Sequence, residues 1–158
     1  MSALGFGSKV IIVDDAGMDM AVSEDGQAFT ARFSALEAMA EGVKAPMATR
    51  VASFVLPLEG TANGEKIALR VQGHALVNEG ASGLLIMTAN GQVMTQPMPA
   101  GMDDSFLHEL RIDPAYASSC RISMFLLAEF EPATDSAVRV GVAALDGELS
   151  REAGAKGR

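Results

Sequence analysis

Two histidines and one cysteine are the side chains of this sequence best suited to catalysis, but their spacing does not assemble a catalytic site. His74, His108 and Cys120 lie far apart in the chain, whereas a nucleophile needs a base within hydrogen-bond reach. The segment around Ser82 lacks the Gly-x-Ser-x-Gly spacing of a nucleophile elbow. We therefore predict a protein that is not an enzyme. An enzyme using His108 with Glu109 is the alternative.

Aspartates form two short clusters that could supply oxygen ligands to Ca²⁺. Ca²⁺ binds carboxylate and carbonyl oxygens from flexible loops, so it needs no histidine or cysteine. A weak calcium site would form if the fold brought both clusters to the same end of the molecule. The other interpretation is that these residues are solvated turn residues, and we predict no resident cofactor. The clusters are Asp14, Asp15 and Asp19 in one loop, and Asp103 and Asp104 in another.

Methionines concentrate around one predicted hairpin. Methionine fills irregular cores and also lines adaptable apolar surfaces, so this cluster indicates either core packing or a site for a small apolar ligand. His108 shares its strand face with Phe106 and Leu110, which is typical of a half-buried histidine with one ring nitrogen satisfied. The candidate ligand-binding residues are Met87, Met94, Met98, Met102 and His108.

Charge and composition exclude several classes of partner. The formal net charge is −8, and the basic residues are scattered singly, so a phosphate backbone would find no cluster of Lys and Arg. The sequence has no Trp and one Tyr, which disfavours sugar binding by aromatic stacking. No apolar run is long enough to span a membrane. We predict self-association or binding to another protein, with a small apolar ligand as the alternative partner.

Alternation of apolar and polar side chains from Ala52 onwards predicts a series of β-strands. The clearest lies between Lys66 and Leu76, and we expect it to pair as a hairpin with the strand that ends at Leu58. Asn90 and Gly91 separate two further strands, and this dipeptide favours a type I′ hairpin turn. Arg121 to Glu129 is apolar on both faces, which indicates a central strand.

These patterns predict an all-β protein, specifically an antiparallel β-sandwich of jelly-roll-like or immunoglobulin-like topology with about eight or nine strands. One exception interrupts them. Ser34 with Glu37 resembles a capping box, and Leu36, Met39 and Ala40 keep helical spacing, so we expect a short helix near residues 35–41.

Length and cysteine content indicate a single domain in a reducing compartment. The 158 residues, 49% of them hydrophobic, suffice for one core. We place the domain at residues 1–148 and a flexible tail at 149–158. Cys120 alone cannot form an intramolecular disulfide, and the N-terminal residues do not form a signal peptide, so we expect a cytoplasmic protein.

The sequence predicts a clear β-sandwich but no catalytic site, and this combination favours a binding function. We predict a non-catalytic binding module that works by association, as a homo-oligomer in which apolar or edge-strand surfaces meet. The first alternative is a carrier of a small apolar ligand in a sandwich or barrel cavity. The second is a metal-dependent enzyme or calcium-binding module that uses the Asp14 and Asp103 loops or His108.

Overall fold

The computed structural model describes residues 3–14, 16–41, 46–114, 118–131 and 136–151. These residues form twelve β-strands and no helix. The strands are β1 (Gly5–Phe6), β2 (Ile11–Asp14), β3 (Met18–Val22), β4 (Ala28–Phe33), β5 (Glu37–Glu41), β6 (Met47–Glu59), β7 (Glu65–Val77), β8 (Ala81–Ala89), β9 (Gln92–Met98), β10 (Asp103–Ile112), β11 (Ser119–Phe130) and β12 (Ala137–Arg151).

The strands form two six-stranded sheets that pack face to face. Sheet 1 has the order β1-β6-β11-β8-β9, and β2 also pairs with β6. Sheet 2 has the order β10-β7-β12-β4-β3, and β5 also pairs with β12. Every pairing between these strands is antiparallel. The fold is an antiparallel, jelly-roll-like β-sandwich, and the predicted fold class is confirmed.

The core lies between the sheets and is built from the inward half of each alternating strand. In β11, every second residue from Cys120 to Phe130 is buried. Three rings tie the layers together, since Phe29 of sheet 2 meets Phe6 and Phe54 of sheet 1 edge to face, at centroid distances of 5.0 and 6.2 Å. Edge-to-face contacts add specific geometry to the burial of apolar area.

The Asn90–Gly91 turn joins β8 and β9 as predicted. Both residues have positive φ, 47° and 87°, as a type I′ turn requires. The Asn90 side chain also reaches β11: its Oδ1 accepts from the Arg121 backbone N–H at 2.7 Å, and its Nδ2 donates to the Ser119 carbonyl at 3.0 Å. This turn therefore fixes three strands, a role that the dipeptide alone did not indicate.

The helix predicted near residues 35–41 is wrong, because Glu37–Glu41 is strand β5. Ala38 and Ala40 point into the core while Glu37, Met39 and Glu41 are exposed. β5 pairs with β12 over residues 137–141. The two-residue period of small apolar side chains, together with these ladder bonds, outweighs the local capping pattern.

Four further expectations need correction. β6 and β7 do not form a hairpin, because each pairs within a different sheet and their connection crosses between the layers. Short strands raise the strand number above the expected eight or nine. The outward residues of β11 are only half-buried or exposed, although the strand is central. β12 continues to Arg151, which pairs with Glu65, so residues 149–151 belong to the sandwich and not to a tail.

Gly73 and Gly141 give matched positions for testing the packing of sheet 2. A Cβ on Gly73 would fall on the carbonyl oxygen of Gly141 and 2.7 Å from Cζ of Phe106. A Cβ on Gly141 would lie 3.5 Å from Oε2 of Glu37, an ordinary contact. We expect Gly73→Ala to lower the free energy of unfolding by about 1–3 kcal/mol through overpacking. Gly141→Ala should leave it within about 0.5 kcal/mol.

Urea unfolding followed by circular dichroism measures both variants against the wild type. Equal effects of the two substitutions would contradict the packing described for this part of sheet 2.

Candidate functional site

The four methionines proposed as a ligand site are part of, or packed against, the core. Met87 and Met94 are direct partners across β8 and β9, and Met87 and Met98 are at most 1% exposed. Met94 and Met102 are partly buried against the same core. The clefts beside Gly73, Asn90 and Gly26 are lined by other residues. The burial of these methionines fits core packing, and their role in a ligand site stays a prediction.

His108 and Glu109 lie on opposite faces of β10. The half-buried His108 ring stacks on Phe106 with a centroid distance of 5.5 Å, and burial lowers the pKa of His108 below its usual value of 6.5. Glu109 instead accepts hydrogen bonds from Arg111 Nε at 2.7 Å and Arg70 Nε at 3.1 Å, and these bonds, with Arg111 the stronger, lower its pKa. The two residues form no acid–base pair.

Cys120 is unsuited to nucleophilic chemistry. It is a free thiol pointing into the core from β11 and has no solvent exposure. Burial raises the pKa of Cys120 to about 12. Since the thiolate is the nucleophilic form, Cys120 is a core residue.

The described members of the two aspartate clusters do not converge. Asp14 ends β2 in sheet 1, opposite Ser53, and Asp15 lies outside the described residues. Asp19 is on β3 and Asp103 on β10, the opposite edges of sheet 2, which strand spacing places about 19 Å apart.

The remaining acidic candidate also has a local role. Asp104 accepts from the N–H of Ser105 at 2.8 Å, a bond typical of a solvated strand end. Within residues 3–151, wherever the structure describes them, no three His, Cys, Asp or Glu side chains group as a metal site.

A cleft of about 630 Å³ opens on sheet 2 where β12 passes from β5 to β4. Gly73 and Gly141 have no side chains to fill this cleft, and the buried side chains of Phe106 and Val142 form its floor. Polar side chains form the rim: Gln72, His74, Ser105, Arg139 and Glu37. Arg139 Nε lies 3.8 Å from Glu37 Oε2, and His74 Nε2 lies 3.4 Å from Asp103 Oδ1, so acidic and basic groups alternate around the opening.

The outer face of sheet 2 is covered by ion pairs. Arg70 lies between Glu109 and Glu148, with N–O distances of 3.1 and 3.8 Å, and Lys66 pairs with Asp113 at 3.1 Å. Exposed pairs of this kind add little stability, but they keep the surface solvated. This face therefore has a polar surface over much of its area.

The outer face of sheet 1 is apolar at its centre. One row across the sheet consists of Val51, Phe125, Ile86 and Thr95, which are successive partners on β6, β11, β8 and β9. Val51 is 39% exposed, and Phe125 and Ile86 are half-buried. We call the outward residues of these four strands that lie between the level of Arg121 and the level of Glu129 the sheet-1 face: Met47, Thr49, Val51, Ser53, Val55, Ser82, Leu84, Ile86, Thr88, Val93, Thr95, Pro97, Arg121, Ser123, Phe125, Leu127 and Glu129.

The sequence pattern identified Phe125 and Leu127 as apolar residues of a strand, but it did not identify the face they lie on as a candidate site. Phe125 and Leu127 alternate with the inward residues of β11, which was interpreted as burial on both faces. The described strands all belong to the two sheets, and none of them packs on the outer side of sheet 1. Val51, the partner of Phe125, is 39% exposed, and Met47 and Val93 at the margins of the face are each 60% exposed. The useful signal was the same period of two in β6, β8 and β11 together, with apolar residues on both faces of each strand.

Comparisons with known proteins add no family. The sequence matches no family model and no curated protein. Within the part of the chain that the structure describes, no helix is long and apolar enough to span a membrane.

Several solved structures are similar at low identity. TmCBM61 in complex with β-1,4-galactotriose has 14% identity over 92% of this chain and 90% of that chain, with a TM-score of 0.36. The CBM36-1 domain of a multidomain xylanase from the hindgut metagenome of Trinervitermes trinervoides has 8% identity over 91% and 98% of the two chains, with a TM-score of 0.42. Dimeric latent PorU from Porphyromonas gingivalis has 11% identity over 93% of this chain and 13% of that chain, with a TM-score of 0.40. Similarities this distant say nothing about what this chain binds.

The burial of His108 predicts a pH dependence of stability. Because its folded pKa is lowered, the unfolded chain takes up the proton at a higher pH than the folded chain does. Stability should therefore fall as the pH drops below about 6.5 and level off below the folded pKa of His108. NMR titration of the ring gives that pKa, and urea unfolding at several pH values gives the slope.

His108→Gln should remove this part of the slope, whereas His74→Gln, which retains His108, should keep it. A His108 ring that titrates at or above 6.5 would contradict the burial described for it.

Proposed function

We propose that this chain is a non-catalytic binding module that works by protein–protein association, through the sheet-1 face, as a homo-oligomer. The observation that supports the proposal is the contrast between the two outer faces. Sheet 2 presents ion pairs such as Arg70–Glu109, whereas sheet 1 presents the apolar row Val51, Phe125 and Ile86. A contiguous apolar patch on a folded domain is typical of an interaction site.

Hydrogen bonding within the sheet-1 face also suits it to association. Its polar members are mostly hydroxyl residues, and Ser53 and Ser123 satisfy each other at an Oγ–Oγ distance of 2.9 Å. Covering the face would therefore leave this pair satisfied while removing apolar area from water. Sheet faces pack on one another in just this way inside β-sandwiches.

The placement of the candidate catalytic residues supports the proposal that this module is not catalytic. His108 and Glu109 face opposite sides of their strand, and Cys120 is buried. We also propose a cytoplasmic location, since a lone buried thiol is suited to a reducing compartment.

Strand β2 offers a competing surface for self-association. Ile11, Ile12 and Val13 are 63%, 47% and 67% exposed, and β2 lies at the edge of sheet 1, beside β6. An apolar edge strand can pair with a strand of another molecule. Substitutions on the sheet-1 face distinguish the two surfaces because they leave the β2 backbone free to pair.

Val51→Lys tests the proposal, with Leu107→Lys as its matched control. Val51 lies on β6 beside Phe125, in the apolar row of the sheet-1 face, and Leu107 is 63% exposed on the outer face of sheet 2. Both changes add one positive charge, so net charge cannot explain a difference between them. We expect V51K to weaken self-association by about a hundredfold or more, since the apolar row then holds an unpaired charge. L107K should associate as the wild type does.

Sedimentation velocity over a concentration series measures all three proteins, and circular dichroism verifies that they are folded. A wild type that is monomeric at every concentration contradicts the proposal. A V51K variant that associates like the wild type shows that another surface, such as β2, is used.

The cleft on sheet 2 supports a second candidate function, the binding of a small neutral polar ligand. Its volume falls in the range of ligand pockets, and Arg139 on its rim faces Glu37, a partner of opposite sign. Gly141→Val would add a side chain to the cleft wall beside Glu37, and its Cβ would make only ordinary contacts. With β-1,4-galactotriose as probe, amide shifts at Gly73 and Ser105 that disappear in G141V would support this candidate. If the trisaccharide does not change the amide chemical shifts of the wild type, an oligosaccharide is not the ligand of this cleft.

A further inference from the structure

Two charged side chains lie at opposite ends of the sheet-1 face on its central strand. Arg121 and Glu129 both point outward from β11, and Phe125 lies midway between them. The outward residues of β6, β8 and β9 that stand beside this stretch are uncharged. Along β11 the face therefore runs from a positive end, through an apolar centre, to a negative end.

Neither charge has a partner among the residues that the structure describes. The three arginines of sheet 2 that form ion pairs, Arg70, Arg111 and Arg139, each lie within 4 Å of a glutamate. Arg121 and Glu129 form no such pair in the described part of the chain, and both are exposed. Their side chains are thus available to a second molecule.

We infer that the partner at the sheet-1 face is a second copy of this chain, stacked face to face about a two-fold axis that runs along the row Val51, Phe125 and Ile86. The inference rests on the proposed function and adds its geometry. Rotation about this axis places β11 of one copy antiparallel over β11 of the other, so each Phe125 packs near its counterpart. Arg121 of each copy then lies over Glu129 of the other, which makes two ion pairs.

The dimensions of packed sheets permit these pairs. Arg121 and Glu129 are eight residues apart on an extended strand, or about 27 Å, so each lies about 13 Å from the axis. Packed sheets are about 10 Å apart and cross at about 30°, which shifts the strand ends sideways by about 7 Å. Extended arginine and glutamate side chains together span a gap of this size.

Area and charge favour this arrangement over its alternatives. Four strands of this length cover roughly 500 Å² on each copy, or about 1,000 Å² in total, the lower limit for a specific interface. Within the face Arg121 offsets Glu129, and the exposed Asp14 of β2, opposite Ser53, is a negative charge beside its edge. Parallel stacking would place Arg121 over its own counterpart, and this like-charge contact selects against it.

Charge reversal at the two positions tests the inference. R121E and E129R should each raise the dimer dissociation constant at least about tenfold, because both ion pairs become repulsive. R121E makes the chain more acidic and E129R makes it less acidic, so a loss in both cannot come from net charge. An equimolar mixture of the two variants should restore the dimer, as should the double variant R121E/E129R, since every facing pair is again opposite in sign.

Sedimentation velocity measures the dissociation constants, and native mass spectrometry identifies the heterodimer in the mixture. Two single variants that associate like the wild type, or a mixture that stays monomeric, would overturn this geometry. If V51K still dissociates in that case, the sheet-1 face is used in another orientation and the proposed function stands. A wild type that never dimerises overturns both.

Discussion

The whole structure depends on the two-residue period of side chains along a strand. Each strand can hide only one of its faces in the space between two sheets. Phe6, Phe29 and Phe54 show how that space is used, because rings from opposite layers meet edge to face and leave the backbone paired within each sheet. The interior is therefore filled by the inward residues alone. Whatever the protein does must be done by the outward residues, by the edges, or by places where a side chain is missing.

The two sheets use their outward residues differently. Sheet 2 carries exposed ion pairs such as Arg70–Glu109, which link neighbouring strands and keep this surface hydrated. Sheet 1 places Phe125 and Ile86 outward, an arrangement typical of a sheet face that another layer covers. Apolar outward residues on a four-strand stretch lie outside the core of the single chain, and a face of this kind suits the contact with another surface proposed above. Specificity there must come from shape and from the few charges at its ends.

Much of the fold could be predicted from the sequence because alternation and turn chemistry are local signals. The Asn90–Gly91 turn and β7 were found in this way. Local patterns predicted a helix near residues 35–41, where the structure has strand β5. They missed the strand because its pairing with β12 joins residues about a hundred positions apart. The same limit hid the candidate site. Alternation predicted that the strand of Phe125 is covered on both sides. Only the arrangement of the two sheets shows that none of the described strands packs on its outer side.

The side chain of Asn90 gives the sheet-1 face a property that its composition does not show. Through its hydrogen bonds to the backbone of Ser119 and Arg121, the end of the β8–β9 hairpin is attached to the central strand. The hairpin and β11 are thereby joined at their ends as well as along their ladder, which limits the twisting of β9 relative to β11. A surface held in one shape before contact loses little backbone entropy when a partner covers it. In the association proposed here, the amide of Asn90 would thus lower the entropic cost of binding at a face that it does not itself belong to.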